Sequence, residues 1–344
     1  MPIQLVRVLG FDGPNIYSPQ PGVLLQARSE RDHSALLRDL LKDGAQRVGM
    51  VIGYLDLDAV AHSDQYVITA SFVTPTPAIG VELARHAVAA IDAHERGDET
   101  YDFDEQLWDL QKRRRAEALP MPALQIVAEA TRRGVPGFVR ADGALQIGYG
   151  ARGWSLDMGL LRGSPMRMLD VAATEIAPFA APAVAVPWEQ IGTIPVVALT
   201  GGAHADEAAR ALAAALQADG EAVGLAVAAG FDAAREVLAD QTFTCAVLSL
   251  DAADLLRRGM PFEQCDLSVV AGMPESLPPA AADWDELARA LCLPMLATAS
   301  QGVALLNMAV PALAALAEYA PCRVLPLDAE GASMAAVLQA WRNR

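Results

Sequence analysis

The chain has 344 residues, 53% of them hydrophobic, with a formal net charge of −16 and four cysteines. Its length suits two or three domains with sizeable cores, and no apolar run approaches the roughly eighteen residues of a membrane-spanning helix. The acidic balance disfavours nucleic acid and anionic membrane surfaces, whose phosphates the long-range field repels, and leaves a cationic partner open.

The opening residues, MPIQLVRVLGFDG, lack the basic start and long apolar stretch of a signal peptide, so a cytoplasmic protein is expected. Ile3 to Leu9 is predicted as a strand, Ser34 to Leu41 as a helix, Val48 to Leu55 as a strand and Tyr66 to Thr74 as an alternating strand. His62 with Asp56, Asp58 and Asp64 reads as a solvated polar loop. Thr76-Pro77 introduces a helix from Ile79 to Glu95, with proline near its start as helix geometry permits. His86 and His94 lie two turns apart on it, with no third metal ligand evident. The polar stretch Asp98 to Asp104 leads to a charged helix bearing Lys112-Arg113-Arg114-Arg115, read as a solvated face. Pro120 and Pro122 close it before a helix from Ala123 to Arg133.

Periodicity then fades from Gly153 to Trp188, and Ile176 to Pro187, with three prolines, reads as an extended linker. Beyond it strands and helices alternate. The strands are Ile194–Leu199, Ala222–Val227, Ala246–Leu250, Leu267–Ala271, Met295–Thr298 or Gly302–Leu306, and Cys322–Leu327, and a helix from Ala332 to Trp341 follows. The expected fold class is α/β: a mixed α/β domain over 1–152, a linker over 153–188, and a doubly wound, mostly parallel sheet over 189–344. Cys245, Cys265, Cys292 and Cys322 show neither CxxC nor His-paired spacing and are expected as reduced core thiols.

The stretch with the most chemistry in its pattern is Thr193 to Leu212, TIPVVALTGGAHADEAARAL. A buried strand, the turn Thr200-Gly201-Gly202 and an alanine-rich helix over Ala208–Gln217 form the usual anion cradle of α/β proteins. A working phosphate loop adds a lysine for the β/γ-phosphates and a hydroxyl for magnesium. Here Ala205 and Asp206 stand in those places, with Glu207 next. Two carboxylates suit the helix dipole but repel a triphosphate. His204, with no nucleophile beside it, reads as an exposed loop residue.

Thr193 to Leu212 resembles the GTNGKTTT turn of Mur-type ligases, most closely that of cyanophycin synthetase. Ala246 to Val270, AVLSLDAADLLRRGMPFEQCDLSVV, is similar to that family's AVLETARGGILRRGLGFDRCDVAVV. The resemblance continues in Trp284 to Pro311, in Leu5 to Pro21 (LVRVLGFDGPNIYSPQP), and in Ile126 to Arg152, which is similar to the segment preceding the family's ATP-grasp domain. The resemblance implies a Mur central-domain type of sheet. It also places the family's phosphate lysine on Ala205, its threonine hydroxyls on Asp206 and Glu207, its magnesium-binding glutamate on Ser249 and its NADDP aspartates on Met308 and Ala309. Only about forty residues separate Gly148-Tyr149-Gly150 from the Mur-like strand, where the ATP-grasp domain should stand, and the family's HxxEH motif and C-terminal ligase domain have no counterpart.

These departures imply a pseudoenzyme with no cofactor, no metal and no nucleotide turnover. Its expected partner is an active cyanophycin synthetase in a hetero-oligomer, with the arginine-bearing polymer as a second partner that the negative charge allows. A binding module for the polymer or a small molecule, and an enzyme with new chemistry around His204, Asp206 and Glu207, are the alternatives.

Overall fold

A computed structural model describes residues 2–162, 184–327 and 334–342. Most of the expected linker, including 176–183, lies outside them, as do 332 and 333 of the last predicted helix.

The N-terminal part opens with β1 (Gln4–Phe11), β2 (Gly22–Ser29), α1 (Ser34–Val48), β3 (Leu55–His62), β4 (Gln65–Val73) and α2 (Pro77–Arg96). The strands form an antiparallel sheet in the order β1-β2-β4-β3. Val23, Leu25 and Ala27 alternate with Ile68, Ala70 and Phe72 on one face and bury themselves under α1 and α2. The predicted strand at Val48–Leu55 is absent. Val48 ends α1, and Gly49 caps it at φ 74° with its N–H on the carbonyls of Ala45 and Gln46. Val48 and Met50 alternate because both plug the core beneath the helix end. The supposed polar loop is β3 itself: Leu55, Leu57 and Ala59 pack inward while Asp56 and Asp58 face out, and a two-residue turn at Ser63-Asp64 joins β3 to β4. Strand β2 has no counterpart among the expected elements.

Two helices, α3 (Phe103–Glu117) and α4 (Met121–Arg132), lead to a small antiparallel sheet of β5 (Gly137–Val139), β6 (Leu145–Ile147) and β7 (Trp154–Leu156), then α5 (Gly159–Arg162). Strand β7 and α5 thus occupy the start of the expected linker. At its other end Val184, Val186, Trp188 and Ile191 pack back on α4 and the small sheet, and Arg133 sits 5.0 Å from the Trp188 ring.

The remaining elements are β8 (Val196–Thr200), α6 (Ala203–Ala218), β9 (Val223–Ala229), α7 (Phe231–Ala239), β10 (Cys245–Leu250), α8 (Ala252–Arg258), β11 (Cys265–Val270), α9 (Trp284–Leu291), α10 (Leu293–Leu296), β12 (Thr298–Asn307), α11 (Pro311–Ala314), β13 (Arg323–Leu327) and α12 (Met334–Arg342). They form a six-stranded, wholly parallel sheet in the order β13-β12-β11-β8-β10-β9. Every residue of β8 is buried, because Val197 and Leu199 pack on α6 and α12 while Val196 and Ala198 pack toward α7 and α8. A doubly wound α/β sheet follows from helices covering both faces. Of the two alternatives near residue 300, Gly302–Leu306 lies inside β12 and Met295 lies in α10. Burial pushes the Cys265 and Cys292 thiols up to about 12, so both are inert core groups.

Candidate functional site

The connections from β8 run first to the β9 edge, back to β10, and then across to β11. The strand order therefore reverses at the carboxyl end of β8, the place where open α/β sheets bind ligands. Residues 200–207 occupy that point. Gly201 and Gly202 turn the chain at φ 122° and 68°. Helix α6 starts at Ala203 and not at Ala208, because small alanines tolerate the tight exit from the turn and continue it as helix. This earlier start puts Ala205 and Asp206 in the first turn of α6.

The turn is closed by its own groups. Thr200 Oγ1 donates to the Leu291 carbonyl at 2.7 Å, and its carbonyl accepts the Ala271 N–H. Asn307 Nδ2 donates to the Ala271 carbonyl from the neighbouring strand end. Ser249 Oγ donates to Asp206 Oδ1 at 2.5 Å, and the same oxygen accepts the Ala228 N–H at 3.3 Å. Ala228 holds φ 49°, beside a register shift between β9 and β10 that aims its amide at the carboxylate. Ala205 is fully buried in the apolar core under α6. Glu207 and His204 point to solvent, and Met308 is exposed. Of the positions singled out in the sequence, the fold brings Asp206 and Ser249 into direct contact and turns Glu207 away.

Asp206→Ala should cost about 1–3 kcal/mol, since it strands both the Ser249 hydroxyl and the Ala228 amide. Urea unfolding of Asp206→Ala, Ser249→Ala and the double variant checks it: the two single losses should fail to add. Millimolar Mg-ATP should leave every midpoint unchanged, and a rise would contradict a closed turn.

The other segments that carry the resemblance meet at a seam between the N-terminal part and the parallel sheet. The Asp12 N–H donates to the Arg258 carbonyl, and the Met260 N–H to the Pro14 carbonyl. Arg258 bridges Asp12 and Asp232 at 2.9 and 2.6 Å, its guanidinium lying 4.4 Å from the Phe231 ring. Asn15, buried, ties its own loop through Gly13, Gln20, Tyr17 and Ser18. Gly148-Tyr149-Gly150 docks likewise: the Tyr149 N–H reaches the Gly192 carbonyl and the Ala151 N–H the Phe243 carbonyl.

At the centre of the seam Glu286 accepts a bidentate pair from Arg7 at 2.7 and 3.1 Å, the Tyr17 hydroxyl at 2.6 Å and the Ala282 N–H at 2.5 Å. Burial works to raise this carboxyl, but the bonds from Arg7, Tyr17 and Ala282 prevail and hold it at about 2. Glu286 carries little mark in the sequence. Its signal was Asp283-x-x-Glu286, the spacing of a capping box, and Asp283 does accept the Glu286 N–H. His86, by contrast, is half-buried with Nδ1 3.2 Å from the Tyr101 hydroxyl, and burial lowers its pKa. Among the described residues no group of three His, Cys, Asp or Glu side chains is placed to hold a metal ion, and no helix is long and apolar enough to cross a membrane.

A family model described as Domain of unknown function (DUF4938) matches residues 2–327. The chain belongs to that family. No protein of curated function matches the sequence. Among solved structures this DUF4938 member is similar to UDP-N-acetylmuramoyl-L-alanyl-D-glutamate--2,6-diaminopimelate ligase, at 16% identity and a TM-score of 0.33 over 39% of the chain. The match spans 31% of the ligase, about a third of its length.

Proposed function

We propose that this protein is a non-catalytic relative of cyanophycin synthetase that serves as a structural or regulatory subunit beside a catalytically complete synthetase, in the cytoplasm. The Ser249–Asp206 hydrogen bond carries the reading. By the resemblance these two positions would hold a magnesium ligand and a phosphate-side hydroxyl, and here they satisfy each other, with Ala205 buried where a lysine would reach the phosphates. The segments around Pro14 and Arg258 are joined by backbone bonds from Asp12 to Arg258 and from Met260 to Pro14. A gene copy that loses its chemistry and keeps its scaffold retains whatever surfaces the scaffold used for assembly. Symmetric oligomers use patches that a paralogue inherits, and a partner that binds only the folded form stabilises it by mass action.

Co-expression with a full-length synthetase should yield a single hetero-oligomer on size-exclusion chromatography with mass measurement, and more soluble or more active synthetase than expression alone. Separate elution at micromolar concentration, with synthetase activity unchanged, would overturn the proposal.

A further inference from the structure

A cavity of about 590 Å3 lies between the small antiparallel sheet and α7 with the residues that follow it, and no residue of the Thr200–Glu207 turn lines it. Phe138 and Ser155 of the small sheet are among its lining residues. Six charged side chains line the walls: Arg140, Asp142, Asp232, Arg235, Glu236 and Asp240. Four are already matched. Arg140 pairs with Asp142 at 3.0 Å and Asp232 with Arg258, while Asp240 accepts the Thr242 N–H and hydroxyl.

Arg235 and Glu236 are different. Neither makes an ion pair within hydrogen-bond reach among the described residues. The Arg235 guanidinium lies 4.9 Å from the Phe138 ring and 4.2 Å from the Phe231 ring. It donates through Nε to the Pro261 carbonyl at 3.3 Å and through Nη2 to the Asp12 carbonyl at 3.5 Å, which leaves Nη1 without a protein acceptor among the described residues. Burial lowers its pKa, with the nearby Arg258 charge in the same sense and Asp12 and Asp232 opposing it. Arg235 is half-buried, and its Nη1 is left to donate to a carboxylate that enters the cavity. The next residue along α7, Glu236, is exposed at the same cavity and offers the complementary acceptor.

We infer that this cavity binds a small zwitterion, an α-amino acid or dipeptide, with its carboxylate on Arg235 and its ammonium on Glu236. The volume falls in the range of small-ligand sites, about 300–1,000 Å3. The inference stands whether or not the chain assembles with a synthetase, since no residue of the cavity belongs to the closed turn.

Calorimetry of the full chain against the common free amino acids and the alanyl dipeptides tests it. At least one should bind more tightly than about 1 mM. Acetylating its amine or amidating its carboxylate should each weaken binding about tenfold or more. Glu236→Gln, on an exposed side chain that leaves the packing intact, should reproduce the loss for the free amine and leave the acetylated ligand unaffected. Arg235→Lys should weaken the ligand and the acetylated form alike. The assignment fails if no probe binds within that limit, if the best binder tolerates capping at either end, or if Glu236→Gln binds it as wild type does.

Discussion

Replacing Glu286 with alanine should lower the unfolding free energy by about 3 kcal/mol, because it leaves the Arg7 guanidinium unpaired in a largely buried seam. Arg7 is 19% exposed and Glu286 4% exposed in their side chains, so water replaces little of what is lost. The Tyr17 hydroxyl loses its acceptor at the same time, and the Ala282 amide loses another. Arg7 and Tyr17 come from the first strand and loop, whereas Glu286 comes from α9, so the variant loosens the two parts of the molecule from each other rather than softening one core. The pH dependence has a definite sign. The folded carboxyl sits at about 2, below its ordinary value of 4.5, so this group's contribution is fully present above pH 4.5 and is lost as the pH falls toward 2. The stability difference between wild type and Glu286→Gln, measured by denaturant unfolding from pH 7 downward, should shrink across that window. A difference under about 0.5 kcal/mol at pH 7, the usual scatter of surface substitutions, would show that the network holds nothing together.

Gly259→Ala should cost at least about 3 kcal/mol, the sum of a backbone region reserved for glycine and a collision with backbone atoms that cannot rotate away. Gly259 caps α8 at φ 78° and ψ −164°. A Cβ there would stand 2.6 Å from the Pro14 carbonyl oxygen and 2.9 Å from that of Gly13. The loop from Asp12 to Asn15 would have to withdraw, and with it the bonds from Asp12 to Arg258 and from Met260 to Pro14. Gly202→Ala is the control. Its φ is 68°, yet nothing lies within 4 Å of the added carbon, so it isolates backbone strain at about 1–3 kcal/mol. Hydrogen exchange should accelerate at the Asp12 and Met260 amides in Gly259→Ala and stay protected in Gly202→Ala. Equal losses in both variants, with protection at Met260 intact, would mean that the close approach is unimportant.

Both predictions bear on the proposed function. The stretches around Gly13-Pro14-Asn15, Leu256 to Met260 and Glu286, on which the proposal draws outside the turn, are ones that build the seam. A subunit whose value lies in its shape would be disabled by Glu286→Ala or Gly259→Ala while tolerating changes at Glu207 or Met308, which face solvent.

The parallel sheet was legible from the amino-acid order because a strand buried on both faces needs an unbroken apolar run. Val196 to Leu199, Ala246 to Leu250 and Leu267 to Val270 supply such runs between alanine-rich helices, and no neighbour is needed to read them. That Ala205 and Asp206 offer the turn neither a lysine's charge nor a hydroxyl was equally plain, since charge and size belong to the residue itself. What the sequence left open depended on partners distant along the chain. Strand β2 and the start of α6 escaped because local alternation and propensity compete there with burial against other elements. Val48 and Met50 mimic a strand because both fill a core beneath a helix end. The contact of Asp206 with Ser249 spans 43 positions, and that of Arg7 with Glu286 spans 279. Only folding brings such groups within hydrogen-bond range, and only then does a carboxylate that reads as an ordinary helix residue become the buried acceptor on which two parts of the molecule close.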